Sequence, residues 1–251
     1  MKTDSFKKAL YEQLALDYCV TPEEVADHKN HFSIYEPLEG RRLFRVSEPC
    51  VFRAAVVNGK ILFSGTKEIM DACRERYGDV IGDWYLDVKR FRELEKIVAK
   101  EGVVLGSAHP FYLPDPGFTP LTPAPDLEIR WFEGDAIEAF RGDKRYTNAY
   151  SFDEAAPDMI GVGAYVDGRC IGMAGASADS PTLWQIGIDV DKASRGRHVG
   201  ATLVSLLKEE IIKKGHTPFY GTSMSNIASQ RVAHHSGFVV AWAELSSDRA
   251  G

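Results

Sequence analysis

Residues 183–203 read Leu-Trp-Gln-Ile-Gly-Ile-Asp-Val-Asp-Lys-Ala-Ser-Arg-Gly-Arg-His-Val-Gly-Ala-Thr-Leu. The first eight, 183–190, have the length and the apolar content of a buried strand. Val199, Leu203, Leu206, Leu207 and Ile211 then fall on one stripe of a helix predicted over about 198–214, with Lys213 and Lys214 in its last turn and Gly215 as its stop. A strand that passes through a basic, glycine-containing turn into a helix makes an anion cradle. The N–H groups of the first helical turn point outward, and the helix dipole adds partial positive charge. Arg195 and Arg197 would add charge-assisted bonds, and Gly196 and Gly200 would let the backbone approach phosphate oxygens. The blander alternative is a polar loop before a packed helix. A P-loop is excluded by the missing GK[ST] ending, and Gly161-Val162-Gly163 lacks the third glycine of a dinucleotide fingerprint.

On either side of this stretch the pattern is that of an α+β fold. Strands are predicted at 127–132, 160–166 and 170–176, the last two joined by an Asp167-Gly168 turn, and a short helix at 135–140. Downstream come a strand at 218–221, a helix at 226–236 and a last strand at 238–245. That helix carries a second signal, Asn226-Ile-Ala-Ser229-Gln-Arg-Val-Ala-His-His-Ser-Gly237-Phe238. Asn226 reads as an N-cap and Gly237 as the residue that ends the helix.

Together the two segments resemble the GNAT acetyltransferase superfamily, whose cofactor motif is Q/R-x-x-G-x-G/A after the fourth strand. Arg195-Gly196-Arg197-His198-Val199-Gly200 matches it with one departure, His198 at the usual first glycine. The resemblance covers the last half of the chain. It implies a mixed, mostly antiparallel sheet flanked by helices, with a splay between strands four and five into which an acyl-pantetheine inserts. It also implies cofactor binding by Ile188, Val190, Arg195, Gly196, Arg197, His198, Val199, Gly200, Ala201, Asn226 and Ser229. Acetyl-CoA, or another short acyl-CoA, would be the co-substrate without a metal, and the acceptor a small-molecule or peptide amine. The tyrosine with which family members often protonate the thiolate is replaced by Ala233.

For catalysis the chain offers Asp189 as a base acting through water and His234 as an acid. Gln185, Gly187 and Asp189 alternate onto one face of the fourth strand, opposite Ile186, Ile188 and Val190. The alternative for Asp189 is a structural carboxylate satisfied by backbone N–H groups or an arginine. The alternative for His234, beside His235, is a half-exposed surface position. The reading is therefore an N-acyltransferase acting on a primary amine, with a catalytically silent acyl-CoA-binding or regulatory module as the runner-up.

The first half is less explicit. Helices are predicted at 6–18, after Thr21-Pro22-Glu23-Glu24, at 67–76 and at 88–100, and a hairpin at 51–57 and 60–64 turns on Asn58-Gly59. Five of the 12 prolines lie between Tyr112 and Asp126, where they remove backbone donors. The expected organisation is a smaller α+β N-terminal domain at 1–111, a proline-rich linker at 112–125 and the GNAT domain at 126–251.

Composition sets the remaining bounds. The 251 residues are 44% hydrophobic and 26% charged, enough for one large or two small cores. A formal net charge of −6 disfavours a general nucleic-acid binder. With no long apolar run and no secretory leader pattern, no membrane partner and a cytoplasmic location are expected, and a homodimer is left open. Cys19, Cys50, Cys73 and Cys170 have no CxxC spacing, and the histidines no ligand pattern, so reduced core thiols are expected.

Overall fold

The computed structural model describes residues 2–42 and 50–249. They fall into two compact units, one of 2–6, 112–222 and 226–239, the other of 7–42, 50–111, 223–225 and 240–249. Helices α1 (Lys2–Asp17) and α2 (Pro22–Ala26) open the chain. The second begins on a capping box, in which the Thr21 hydroxyl accepts from the Glu24 N–H and the Glu24 carboxylate from the Thr21 N–H. Strands β1 (His31–Ile34), β2 (Phe52–Val57) and β3 (Lys60–Gly65) follow, then α3 (Lys67–Tyr77), α4 (Val88–Val98) and β4 (Val103–Pro114). Asn58 and Gly59 take φ of 51° and 72°, as the hairpin reading requires. Phe63 stacks on Tyr77 and meets Tyr85 edge-on within the core of this unit.

The other unit holds β5 (Glu128–Glu133), α5 (Asp135–Glu138), β6 (Asp158–Val166), β7 (Arg169–Ala178), β8 (Leu183–Val190), α6 (Val199–Lys213), β9 (Thr217–Gly221) and α7 (Ile227–His235). Its strands run in the order β9-β8-β7-β6-β5, with β8 and β9 parallel and the others antiparallel. This is the mixed, mostly antiparallel sheet that the resemblance implies. Helix α6 lays Val199 and Leu203 against Gly172 of β7, and Leu203, Val204, Leu207 and Ile211 complete one core with Ile160, Val162 and Ile186. Strand β10 (Phe238–Arg249) ends the described chain.

Three differences from the sequence reading have physical reasons. Strand β4 occupies residues where no strand was expected, because Gly106, Pro110 and Pro114 weaken the local strand signal. Its last three residues, Tyr112 to Pro114, are thus strand and not linker. Strand β10 runs on to Arg249 and pairs Ala243–Ser246 with β2, so residues 240–249 belong with 7–111 and not with the unit that holds 126–239. Cys50, Cys73 and Cys170 are buried free thiols, but Cys19 is half-buried in a turn at φ 51°.

Three glycines on neighbouring strands share one row: Gly161 of β6 stands opposite Gly175 of β7, and Gly175 opposite Gly187 of β8. Residues 148–150 lie directly on that row. A Cβ at Gly161 would overlap the Tyr150 hydroxyl, one at Gly175 the Ala149 carbonyl, and one at Gly187 the Asn148 carbonyl. The glycines are needed here for close approach and not for an unusual φ. We therefore predict that Gly175→Ala destabilises the fold by about 1–3 kcal/mol or more, since backbone and not a flexible side chain must move. A lower urea midpoint at unchanged slope would show it.

Candidate functional site

Parallel pairing between β8 and β9 starts at Leu183 and Thr217 and ends at Ile186 and Tyr220. Strand β8 continues to Val190, so its residues 187–190 have β7 on one side and no β9 partner on the other. This is the splay. Backbone N–H and C=O groups on an edge of this kind need partners. Ile188 and Val190 lie on this free stretch, half-buried against the core below α6.

The chain then turns into α6. A 3-10 turn over Lys192–Ser194 leads to Gly196 at φ 81° and His198 at φ 59°. The left-handed conformation of His198 accounts for the usual glycine at this place: the position asks for positive φ, which a Cβ makes costly. His198 takes the N-cap position without bonding the first turn, Val199 to Ala201, through its side chain. Arg195 and His198 are exposed, and Arg197 pairs with the Asp126 carboxylate. The two glycines have different roles. Gly196 has open space where a Cβ would be, so its value is conformational. A Cβ on Gly200 would lie 3.3 Å from Val190 and 3.6 Å from Ile188 and Val232. Its smallness therefore serves the packing of α6 on β8, in place of the phosphate approach expected from its spacing.

Helix α7 begins as expected, with the Asn226 Oδ1 accepting from the Ser229 N–H at 3.1 Å. Its C-terminal end meets the start of α6, where the His235 and His198 rings are 5.8 Å apart. Ala233, in the place of the family's tyrosine, is fully buried in the core.

The two catalytic candidates fare differently from their expected roles. The Asp189 Oδ2 accepts from the backbone N–H of Asn148 at 2.8 Å and of Ala149 at 3.0 Å, and its Oδ1 accepts from the Asn148 side chain. Three donors hold the carboxylate against the residues that cover Gly187, so it anchors that loop. His234 is exposed, and its ring stands edge-on to Tyr112 at 5.7 Å. Five residues separate it from Ser229, about 7.5 Å along the helix, so the geometry supports the surface alternative over an acid at the splay. We predict that Asp189→Asn, which turns an acceptor into a donor facing an N–H, loosens the loop. Faster amide exchange at Asn148 and Ala149 is the readout.

Two groups escaped the sequence reading. The Lys208 ammonium, buried under α6, donates to the carbonyls of Ser236 at 3.0 Å and Gly237 at 3.4 Å and so caps α7. Burial lowers its pKa, opposed by Glu209 and Asp115. The second is Tyr220, whose hydroxyl lies 2.7 Å from the Ser229 hydroxyl. Its ring is fixed between Tyr112 and Phe238, with centroids at 6.3 and 6.1 Å. Neither has a local motif; a buried lysine on a helix stripe and a lone tyrosine in a five-residue strand read as ordinary. Burial pushes the Tyr220 phenol up to about 12, with Tyr112 and Asp189 adding to burial and the Ser229 bond opposing it. The unfolded chain releases this proton near 10 and the folded chain near 12, so the folded state holds more protons between those values. The corresponding stability is fully present below pH 10 and is lost as pH rises toward 12. In an alkaline titration, Tyr220→Phe should flatten this part of the stability profile.

Among the described residues, no helix is long and apolar enough to cross a membrane, and no group of three or more His, Cys, Asp or Glu is placed to hold a metal ion. Residues 126–238 match the family model described as the acetyltransferase (GNAT) family. A GNAT-family acetyltransferase from Colwellia psychrerythraea is 15% identical over 82% of this chain and 84% of its own, with a TM-score of 0.46. An acetyltransferase from the GNAT family of Novosphingobium aromaticivorans is 18% identical over 60% of this chain and 69% of its own, with a TM-score of 0.41. An aminoglycoside N-acetyltransferase in complex with CoA is 25% identical over 45% of this chain and 92% of its own, with a TM-score of 0.35. No curated protein matches the chain.

Proposed function

We propose that this chain, whose residues 126–238 match the model of the acetyltransferase (GNAT) family, transfers an acetyl or other short acyl group from coenzyme A to a primary amine. The observation that carries the reading is the combination of a β8 edge without a β9 partner and a helix N-terminus whose N-cap side chain makes no capping bond. An extended chain ending in a pyrophosphate fits both: hydrogen bonds to a strand edge at one end, N–H groups and positive charge at the other.

In this reading the edge of Ile188–Val190 bonds the pantetheine arm, and the first turn of α6, Val199 to Ala201, receives the pyrophosphate. Arg195, Gly196, Arg197 and His198 shape and charge the turn, and Asn226 and Ser229 line the facing wall. When bound, the thioester supplies the activated acyl group. The protein's own part is to orient it, exclude water and present a neutral amine. Asp189 contributes by fixing Asn148 and Ala149 on the sheet face beside the splay, which makes it a positioning residue. The reaction takes place in the cytoplasm, with a small molecule or a peptide as acceptor.

Calorimetry of the full chain with acetyl-CoA, followed by free-thiol release across a panel of amines, tests the reading. Saturable binding and turnover are expected. Arg195→Glu should weaken acetyl-CoA by about tenfold or more, the scale of a lost charge-assisted bond, with the melting temperature unchanged because the side chain is exposed. No binding would overturn the proposal. Ala233 in place of the family's tyrosine favours one second reading, an acyl-CoA-binding module, and binding without turnover on any amine would select it.

A further inference from the structure

Helix α7 lacks a hydroxyl at position 233, yet a hydroxyl pair stands one turn earlier. Ser229 and Ala233 are four residues apart and share a face of α7, and Tyr220 lies in the core that Ala233 joins. Tyr220 is also the β9 member of the last β8–β9 pair, so its hydroxyl and that of Ser229 sit where the two strands begin to part. The pair is preorganised: Ser229 is held through its N–H by Asn226, and the Tyr220 ring is wedged by Tyr112 and Phe238.

Resting on the acyl-CoA reading above, we propose that Ser229 donates a hydrogen bond to the coenzyme A sulfur as it leaves, and that Tyr220, donating in turn to Ser229, holds that hydroxyl in position. A fixed donor aimed at developing charge, itself polarised by a second donor, stabilises it without reorganising. The amine nitrogen bonds to the acyl carbon and the carbon–sulfur bond breaks with its electron pair on sulfur; water takes the proton that the nitrogen sheds and returns one to the thiolate after departure. Magnitudes favour donation over proton transfer. A cysteine thiol titrates at about 8.5 and an ordinary phenol at about 10, and burial pushes the Tyr220 phenol up to about 12, so moving its proton to the thiolate would run uphill. Ser229 is the catalytic residue and Tyr220 a positioning residue.

The pair should favour the thiolate of bound coenzyme A itself, which gives a test independent of the unknown amine. Coenzyme A and its desulfo analogue are titrated into the full chain between pH 7 and 9. Donors to sulfur lower the bound thiol's pKa, so coenzyme A should gain about tenfold in affinity over the desulfo analogue as pH rises, tenfold being one unit of pKa shift. Tyr220→Phe, which conserves volume, and Ser229→Ala should each abolish that gain, while Ser229→Thr keeps it. In turnover both should lower kcat by about tenfold to a hundredfold with KM for acetyl-CoA little changed, and the double variant should be no worse than the poorer single one. Equal pH profiles for the two ligands in the parent, or a pH-dependent gain that survives in Tyr220→Phe, overturns the inference and leaves the acyltransferase reading standing. A parent that binds neither ligand overturns both.

Discussion

Strand β9 stops pairing at Tyr220 while β8 runs four residues further, and the rest of the site follows from that mismatch. A strand edge inside a fold must find partners for its backbone groups. Here β7 satisfies one side of residues 187–190, and the other side faces the gap. The chain closes this gap at neither end. Above, the turn through Gly196 and His198 carries the backbone away into α6; below, Tyr220 and Ser229 bring hydroxyls to the point of divergence. A ligand that hydrogen-bonds like a strand would find free backbone groups there.

Holding such a gap open has a cost, and the sheet face beside it is stiffened accordingly. The row of Gly161, Gly175 and Gly187 brings residues 148–150 against three strands at once, through the Tyr150 hydroxyl and the Ala149 and Asn148 carbonyls, and Asp189 ties Asn148 and Ala149 to the free stretch of β8. On the opposite face, the missing side chain at Gly200 allows α6 to bear directly on Ile188 and Val190. Both faces of the unpaired stretch are therefore braced by close packing at glycine. Lys208 braces the facing wall by capping α7 through the Ser236 and Gly237 carbonyls.

The parts of this arrangement that are local were legible in the sequence. β8, the turn and α6 form one continuous stretch with its own periodicity. Asn226 and Gly237 declare the two ends of α7, and Asn58-Gly59 and Asp167-Gly168 adopt the positive φ expected of them. What depends on register was not. Gly161 and Gly163 read as a failed dinucleotide motif because nothing local says that Gly161 will stand opposite Gly175 and Gly187. Asp189 was placed on the correct face of its strand, but its donors come from a loop 40 residues away. Strand β4 was hidden by Pro110 and Pro114, residues that lower strand propensity without forbidding a strand.

Position 233, where the resemblance implies a tyrosine, holds alanine. Ala233 is fully buried, and in the same core a tyrosine from β9 extends its hydroxyl to within 2.7 Å of Ser229. A side chain projecting from a helix is free to choose among rotamers; Tyr220, set in a paired strand and flanked by Tyr112 and Phe238, has that choice removed. Rigidity is the property required of a donor that must not reorganise as charge develops, and burial pushes the phenol up to about 12, further from the pH at which it would lose its proton. The same burial that makes Tyr220 a poor proton donor makes it a dependable hydrogen-bond donor, so the core and the chemistry ask the same thing of this one side chain.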